Sequence, residues 1–323
     1  MDALPVAGVV APSAVAEVQR QRIIAAIVAV AAERGAANVT VAHVVARAGI
    51  SRRTFYELFV DREACLLAAL DGAVAAASAV VLPAYEAGQG WRGRVRGGLA
   101  ALLRWLDQQP GLGRLLVVEA LGAGDRALER RARCMAALIA AVDQGRSEIR
   151  RRPQPPPLTA EGVVGSVFAI VHARILVRDA PRRRGVAVVP LVELCSPLMA
   201  AIVLPYLGQA AAQRELGKPN PPPLPAPTRP RRDPLDGLRM RLTYRTVRVL
   251  MAIAARPGAS NRVVAEGSGI SDQGQVSKLL ARLEGLGLVV NSGKGQPRGA
   301  PNAWGLTARG DEVEAAIRLQ RGG

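Results

Sequence analysis

Residues 218–234 read Lys-Pro-Asn-Pro-Pro-Pro-Leu-Pro-Ala-Pro-Thr-Arg-Pro-Arg-Arg-Asp-Pro, and neither a helix nor a sheet interior can contain them. Each proline lacks an amide donor, and its ring disfavours the helical conformation in the residue before it. The run therefore reads as a polyproline linker, a semi-rigid spacer of up to ~50 Å at about 3.1 Å per residue. It forces the 323-residue chain to fold in separate pieces, as a chain of that length suggests in any case. The expected division is a flexible arm over 1–18, a small helical unit over 19–60, a helical body over 61–210, a linker over 211–236 and a last domain over 237–323.

What fills these pieces follows from composition. Half of the chain is hydrophobic but only 3% is aromatic, so Ala, Val and Leu must build the core, which favours helices over sheets. The formal charge of +17 points to a polyanionic partner, most simply nucleic acid. Arg carries nearly all of that charge, with Lys only at 218, 278 and 294, a bias that a GC-rich genome also produces. Cys65, Cys134 and Cys195 are scattered, and His43 and His172 stand far apart, so the expectation is free thiols in a reducing cytoplasm, with no metal and no cofactor. Asp2 and the lack of an early basic stretch argue against a secretory signal. Val186 to Leu207 is apolar enough to suggest a membrane span, but Pro190, Pro197, Pro205 and Glu193 interrupt it. The expectation is a buried interface helix and no membrane partner.

Along the chain, Ile23, Ile24, Ile27, Val28 and Ala31 recur at helical spacing until Gly35. Thr40 then caps a short helix with Val41, Val44, Val45 and Ala48 on its apolar face, and Gly49 turns the chain. Ser51 caps a third helix carrying Phe55, Tyr56 and Phe59, and Asp61 caps a long fourth. Further helices are expected over 91–109, 112–121, 125–149, 159–179 and 190–204. Beyond the linker the pattern changes. Two helices and a turn at Gly269 lead to a helix bearing Val276, Leu279, Leu280 and Leu283. Two strands then flank a basic Gly-rich loop, 288–290 and 303–306, before a last helix capped by Thr307. The fold class expected is mainly all-α: a three-helix helix-turn-helix, a helical body, and a small α+β winged helix.

Thr40–Val41, Ala48-Gly49-Ile50-Ser51, Thr54-Phe55-Tyr56, Phe59 and Arg62–Glu63 together resemble the DNA-binding segment of the TetR/AcrR family of transcription regulators. Chemistry assigns roles within it. Thr40, at a helix start, offers hydroxyl and amide to a phosphate. Arg52, Arg53 and Thr54 follow Ser51 on the first turn of the reading helix, where Arg can pair bidentately with guanine. The resemblance further implies phosphate contacts from the Tyr56 hydroxyl and from Arg62. Arg53 departs from the family, which often has Gly there, so it serves either base or phosphate. Phe55 and Phe59 read as core.

For the body, the resemblance implies a ligand-sensing, dimerising domain. Independently, helices 159–179 and 190–204 are too apolar to face water, and a second copy would cover them as a four-helix interface. A homodimer suits a palindromic operator in double-stranded DNA. The family implies a small apolar or amphipathic effector; Trp91, Trp105, Glu119 and Cys134 are conceivable lining residues but read more simply as packing or surface positions.

The C-terminal domain is similar in layout to MarR-like winged helices. Gln273, Gln275, Ser277 and Lys278 would face the groove, with Gln able to read adenine, and Lys294 and Arg298 lie on the wing. Such modules also bind proteins. The function expected is thus a ligand-responsive dimeric repressor that binds specific DNA; the alternative is a constitutive DNA-binding or scaffold protein whose winged helix recruits a partner. No Gly-rich phosphate loop, HExxH, CxxC or nucleophile elbow supports an enzyme.

Overall fold

A computed structural model describes residues 12–149, 153–179, 189–222, 244–293 and 302–319. They divide into two compact units, one drawn from 12–26, 41–60, 244–293 and 302–319, the other from 27–40, 61–149, 153–179 and 189–222. Helix α1 (Pro12–Arg34) contributes to both, and its first turns occupy part of the segment expected to be an arm.

In the first unit α2 (Val41–Ala48) and α3 (Arg52–Leu58) are joined through Gly49, whose φ of +65° a side chain would disfavour. Ser51 caps α3 as expected, its Oγ accepting from the Thr54 amide at 3.0 Å. Phe55 is fully buried, with Phe59 5.9 Å away and the Arg20 guanidinium over the Phe59 ring. The same unit holds α11 (Tyr244–Ala255), α12 (Asn261–Ser268) and α13 (Gln273–Gly285). Strands β1 (Val289–Asn291) and β2 (Trp304–Leu306) pair antiparallel, Val289 opposite Leu306, and α14 (Ala308–Leu319) follows. Leu250, Ile253, Val264, Val276, Leu280, Leu283 and Trp304 form the core of this small α+β region, and Val18 of α1 joins it. Gly269, at φ +59°, repeats the turn chemistry of Gly49. Asp272 caps α13, its carboxylate accepting from both the Gly274 and Gln275 amides.

The second unit is helical among its described residues: α4 (Arg62–Glu86), α5 (Gly90–Gln108), α6 (Pro110–Val117), α7 (Asp125–Asp143), α8 (Thr159–Asp179), α9 (Cys195–Leu207) and α10 (Gln209–Leu216). Asp61 caps α4 through the Ala64 amide. Trp91 and Tyr206 meet at 5.2 Å in the core, and the Trp91 indole N–H donates to the Ala141 carbonyl. Burial, with the Asp143 carboxylate beside it, pushes the Tyr206 hydroxyl up to about 12. Trp91 and Trp105 are thus core residues, and Cys134 is half-buried on α7. By length and composition alone α4 and α8 could cross a membrane. The apolar 190–204 segment is instead a 3-10 turn followed by α9, with Leu191, Val192, Leu198 and Met199 buried in the body's core.

Two expected helices end early, for tertiary reasons. The segment expected over 112–121 breaks after Val117, where Glu119 turns inward on a 3-10 turn. That expected over 125–149 breaks at Asp143, where Gly145 lies so close beneath Trp91 that any Cβ would sit 2.6 Å from the ring. The linker also begins later than the prolines suggest. Helix α10 is packed on α9, and its Glu215, wholly buried, pairs with Arg96 at 3.3 Å and Lys218 at 2.6 Å. Arg96 also donates to the Pro219 carbonyl and Ser196 Oγ, Arg104 to the Pro222 carbonyl, and Asn220 bridges the Ser196 amide and the Glu193 carbonyl. Residues 218–222 are a strap held on the body.

Candidate nucleic-acid interface

The α3 side chains expected to meet DNA emerge from one cap. Ser51 and Thr54 bind each other through their hydroxyls at 2.9 Å, which holds the first turn of α3 in place. Arg52 is exposed; the Arg53 side chain, 90% exposed, stretches along the helix to Glu57 at 2.9 Å. Tyr56 is exposed, its ring edge-on to the buried Phe55, so the apolar side of α3 anchors the polar one. These five residues, Ser51, Arg52, Arg53, Thr54 and Tyr56, occupy two turns of helix and its cap. Such an array can place two guanidiniums and a phenol against a groove wall.

Thr40 and Arg62 belong to the other unit. Thr40 is exposed at the end of a short 3-10 turn, Ala36–Asn38. Arg62 Nη1 donates to the carbonyls of Ala36, Ala37 and Val39 at 3.2, 3.2 and 3.1 Å, so one end of its guanidinium is engaged with the chain. The opposite end of the same turn is held by Glu119, whose Oε2 accepts from the Ala36 amide at 2.8 Å. Its Oε1 accepts from Arg114 Nε at 3.0 Å, and Arg114 Nη1 reaches Asp179 at 3.1 Å. Sequence reasoning gave Glu119 no such role. Its partner lies 83 residues away, and no local pattern announces a contact of that span.

In the α+β region Gln273 and Lys278 are exposed on α13. Gln275 is exposed as well, but its Oε1 accepts from Arg245 Nη1 at 2.7 Å. Ser277 Oγ accepts from Asn261 Nδ2, and Asn261 Oδ1 in turn receives Trp304 Nε1 at 2.6 Å and Asn302 Nδ2 at 3.0 Å. Asn291 closes this network onto Asn302 at 2.7 Å, at the root of the β1–β2 connection. Lys294 and Arg298 lie outside the described residues. The amides that Asp272 caps, Gln275 foremost, hold its carboxyl below the usual carboxylate range. Among the described residues no group of three His, Cys, Asp or Glu is placed to hold a metal.

Residues 23–69 match the sequence model of bacterial regulatory proteins of the TetR family. No curated protein matches the chain. Among solved structures, the fatty acid degradation regulator FadR from Bacillus halodurans is 15% identical, with 57% of this chain and 94% of that one covered and a TM-score of 0.46. A TetR-like transcriptional regulator from Rhodococcus sp. RHA1 is also 15% identical, covering 59% and 97% with a TM-score of 0.45. RolR in complex with resorcinol is 22% identical, covering 65% and 98% with a TM-score of 0.40. At these identities and scores the likenesses carry no functional argument.

Proposed function

We propose that the protein is a transcription regulator that binds specific double-stranded DNA through residues 40–62, as a dimer, and acts as a ligand-responsive repressor in the cytoplasm. The observation that carries this reading is α3, a capped helix presenting Arg52, Arg53 and Tyr56 outward within a segment that matches the TetR DNA-binding model. Arg52 and Arg53 supply base contacts and Tyr56 a phosphate contact. Dimerisation is supported by the groove between α8 and α9, whose lining includes Val163, Val167, Ile170, Leu198 and Pro205. Ile170, Leu176, Val177 and Leu204 are exposed on these helices, a face that a second copy would cover around a two-fold axis. The effector is a small apolar or amphipathic molecule, as suits a body whose core is built largely from aliphatic side chains.

The α+β region acts in this reading as a winged helix and a second DNA-reading module. Gln273 and Lys278, exposed on α13, favour that role over a protein-recruiting scaffold. The test is binding of the full chain to duplex DNA from its own upstream region. Affinity should fall steeply with salt as Arg–phosphate contacts release counterions, and replacing both Arg52 and Arg53 with Ala should reduce specific affinity more than non-specific. A flat salt dependence would sink the proposal.

A further inference from the structure

The family resemblance places Arg62 among the phosphate contacts, but its hydrogen bonds point to other work. A short turn, 36–39, precedes Thr40, and two side chains of opposite charge grip its opposite ends. Glu119 takes the amide of Ala36 at 2.8 Å. The Arg62 guanidinium takes the carbonyls of Ala36, Ala37 and Val39. Each charge meets the backbone pole it attracts, carboxylate on N–H and guanidinium on C=O, as at the ends of a helix. Glu119 is only 7% exposed, and a carboxylate so buried persists only when paired and hydrogen-bonded. Arg114 supplies that pairing, and Asp179 at the end of α8 fixes Arg114 in turn.

We propose that Arg62 and Glu119 are positioning residues for DNA binding. They hold the 36–39 turn so that Thr40 arrives preset for its phosphate, and Arg62 makes no phosphate contact of its own. This deepens the DNA-binding reading and rests on it. Preset geometry matters because a donor that must first be ordered loses part of its binding energy to that ordering.

The test uses the full chain and two duplexes of equal length, one from its own upstream region and one of unrelated sequence, titrated across a salt series. Arg62→Met should weaken specific binding roughly tenfold through loss of the clamp, while the slope of log affinity against log salt stays at the wild-type value. A lost phosphate contact would instead lower that slope by about 0.9, and this result would overturn the proposal. Glu119→Gln keeps an acceptor for the Ala36 amide and should bind within about threefold of wild type, whereas Glu119→Ala should lose roughly tenfold. Stoichiometric titration gives the active fraction, which separates misfolding from misplacement. Glu119→Ala with full specific affinity in its active fraction sinks the role of Glu119; if that variant does not fold, the comparison of Arg62→Met with Glu119→Gln decides. Wild type that binds both duplexes equally, and loses nothing when Arg52 and Arg53 are replaced, would remove the specific DNA-binding reading itself.

Discussion

Arg53 and Gln275 show how one hydrogen bond redirects a side chain whose type alone suggests a use. Arg53 pairs with Glu57 one turn along α3, an exposed pair of the kind that contributes about 0.3–0.5 kcal/mol. A bond that weak yields to a base, so Glu57→Gln should raise DNA affinity modestly, and more on the specific than on the unrelated duplex, read by fluorescence anisotropy. Gln275 is more constrained. Reading adenine takes both ends of the amide, an acceptor for N6–H and a donor for N7, and Arg245 occupies the acceptor. Gln275 therefore shares its acceptor with Arg245, and its N–H end also reaches the Asp272 carboxylate, so its reading of adenine should be weakened. Arg245→Met should shift the preference at that base pair toward adenine in a selection from randomised duplexes; an unchanged preference would show that Gln275 does not read DNA through this pair. Residue type was legible in the chain, but residue state was not, because Arg245 and Glu119 come from elements far away in sequence.

Helix ends divide by the same logic. Ser51 and Asp61 cap the helices they precede, as their residue types suggest, and there sequence and structure agree. Where closure is tertiary they part. Helix α7 stops at Asp143 because Gly145 must pass under Trp91, and the amides of Leu191 and Val192 are taken by Asp107 of α5, 84 and 85 residues away. Two tests belong to this scale. Gly145→Ala drives a methyl into the Trp91 ring and should cost about 1–3 kcal/mol of stability, seen as a lowered Tm of the body. The Asp272 cap acts on acidification. Its carboxyl is held below the ordinary value in the folded state, so its stabilising effect is complete above that ordinary value and disappears as pH falls through the lowered one. Asp272→Asn keeps the cap and should remove this acid-side loss from thermal melts of the α+β region.

For the whole molecule, the start of the proline-rich run is held on the helical body. Backbone carbonyls of Pro219 and Pro222 are accepting from Arg96 and Arg104, and the Asn220 side chain closes the N-terminus of α9. A chain ending at 218 strips partners from two arginines and should lose thermal stability against one ending at 222. Both measurements are simple melts, and equal Tm values would show the strap to be dispensable. Ending at 222 also removes the core that covers Val18, so the first turns of α1 should become more sensitive to protease.

The chain has three tryptophans, two of them, Trp91 and Trp105, in the body's core and the third, Trp304, in the α+β region. Trp304 lies on β2 with its indole N–H on Asn261 Oδ1, one bond from Ser277 of α13 and from Asn302 at the root of the β1–β2 connection. The protein therefore has a tryptophan at the base of the α+β region and none in α2 or α3. Subtracting the emission of Trp304→Phe from that of the intact chain isolates the signal of that one indole. A duplex that engages only α3 should leave this difference spectrum unchanged, while one gripped by α13 should shift it, so the two modules can be told apart in a single unlabelled sample.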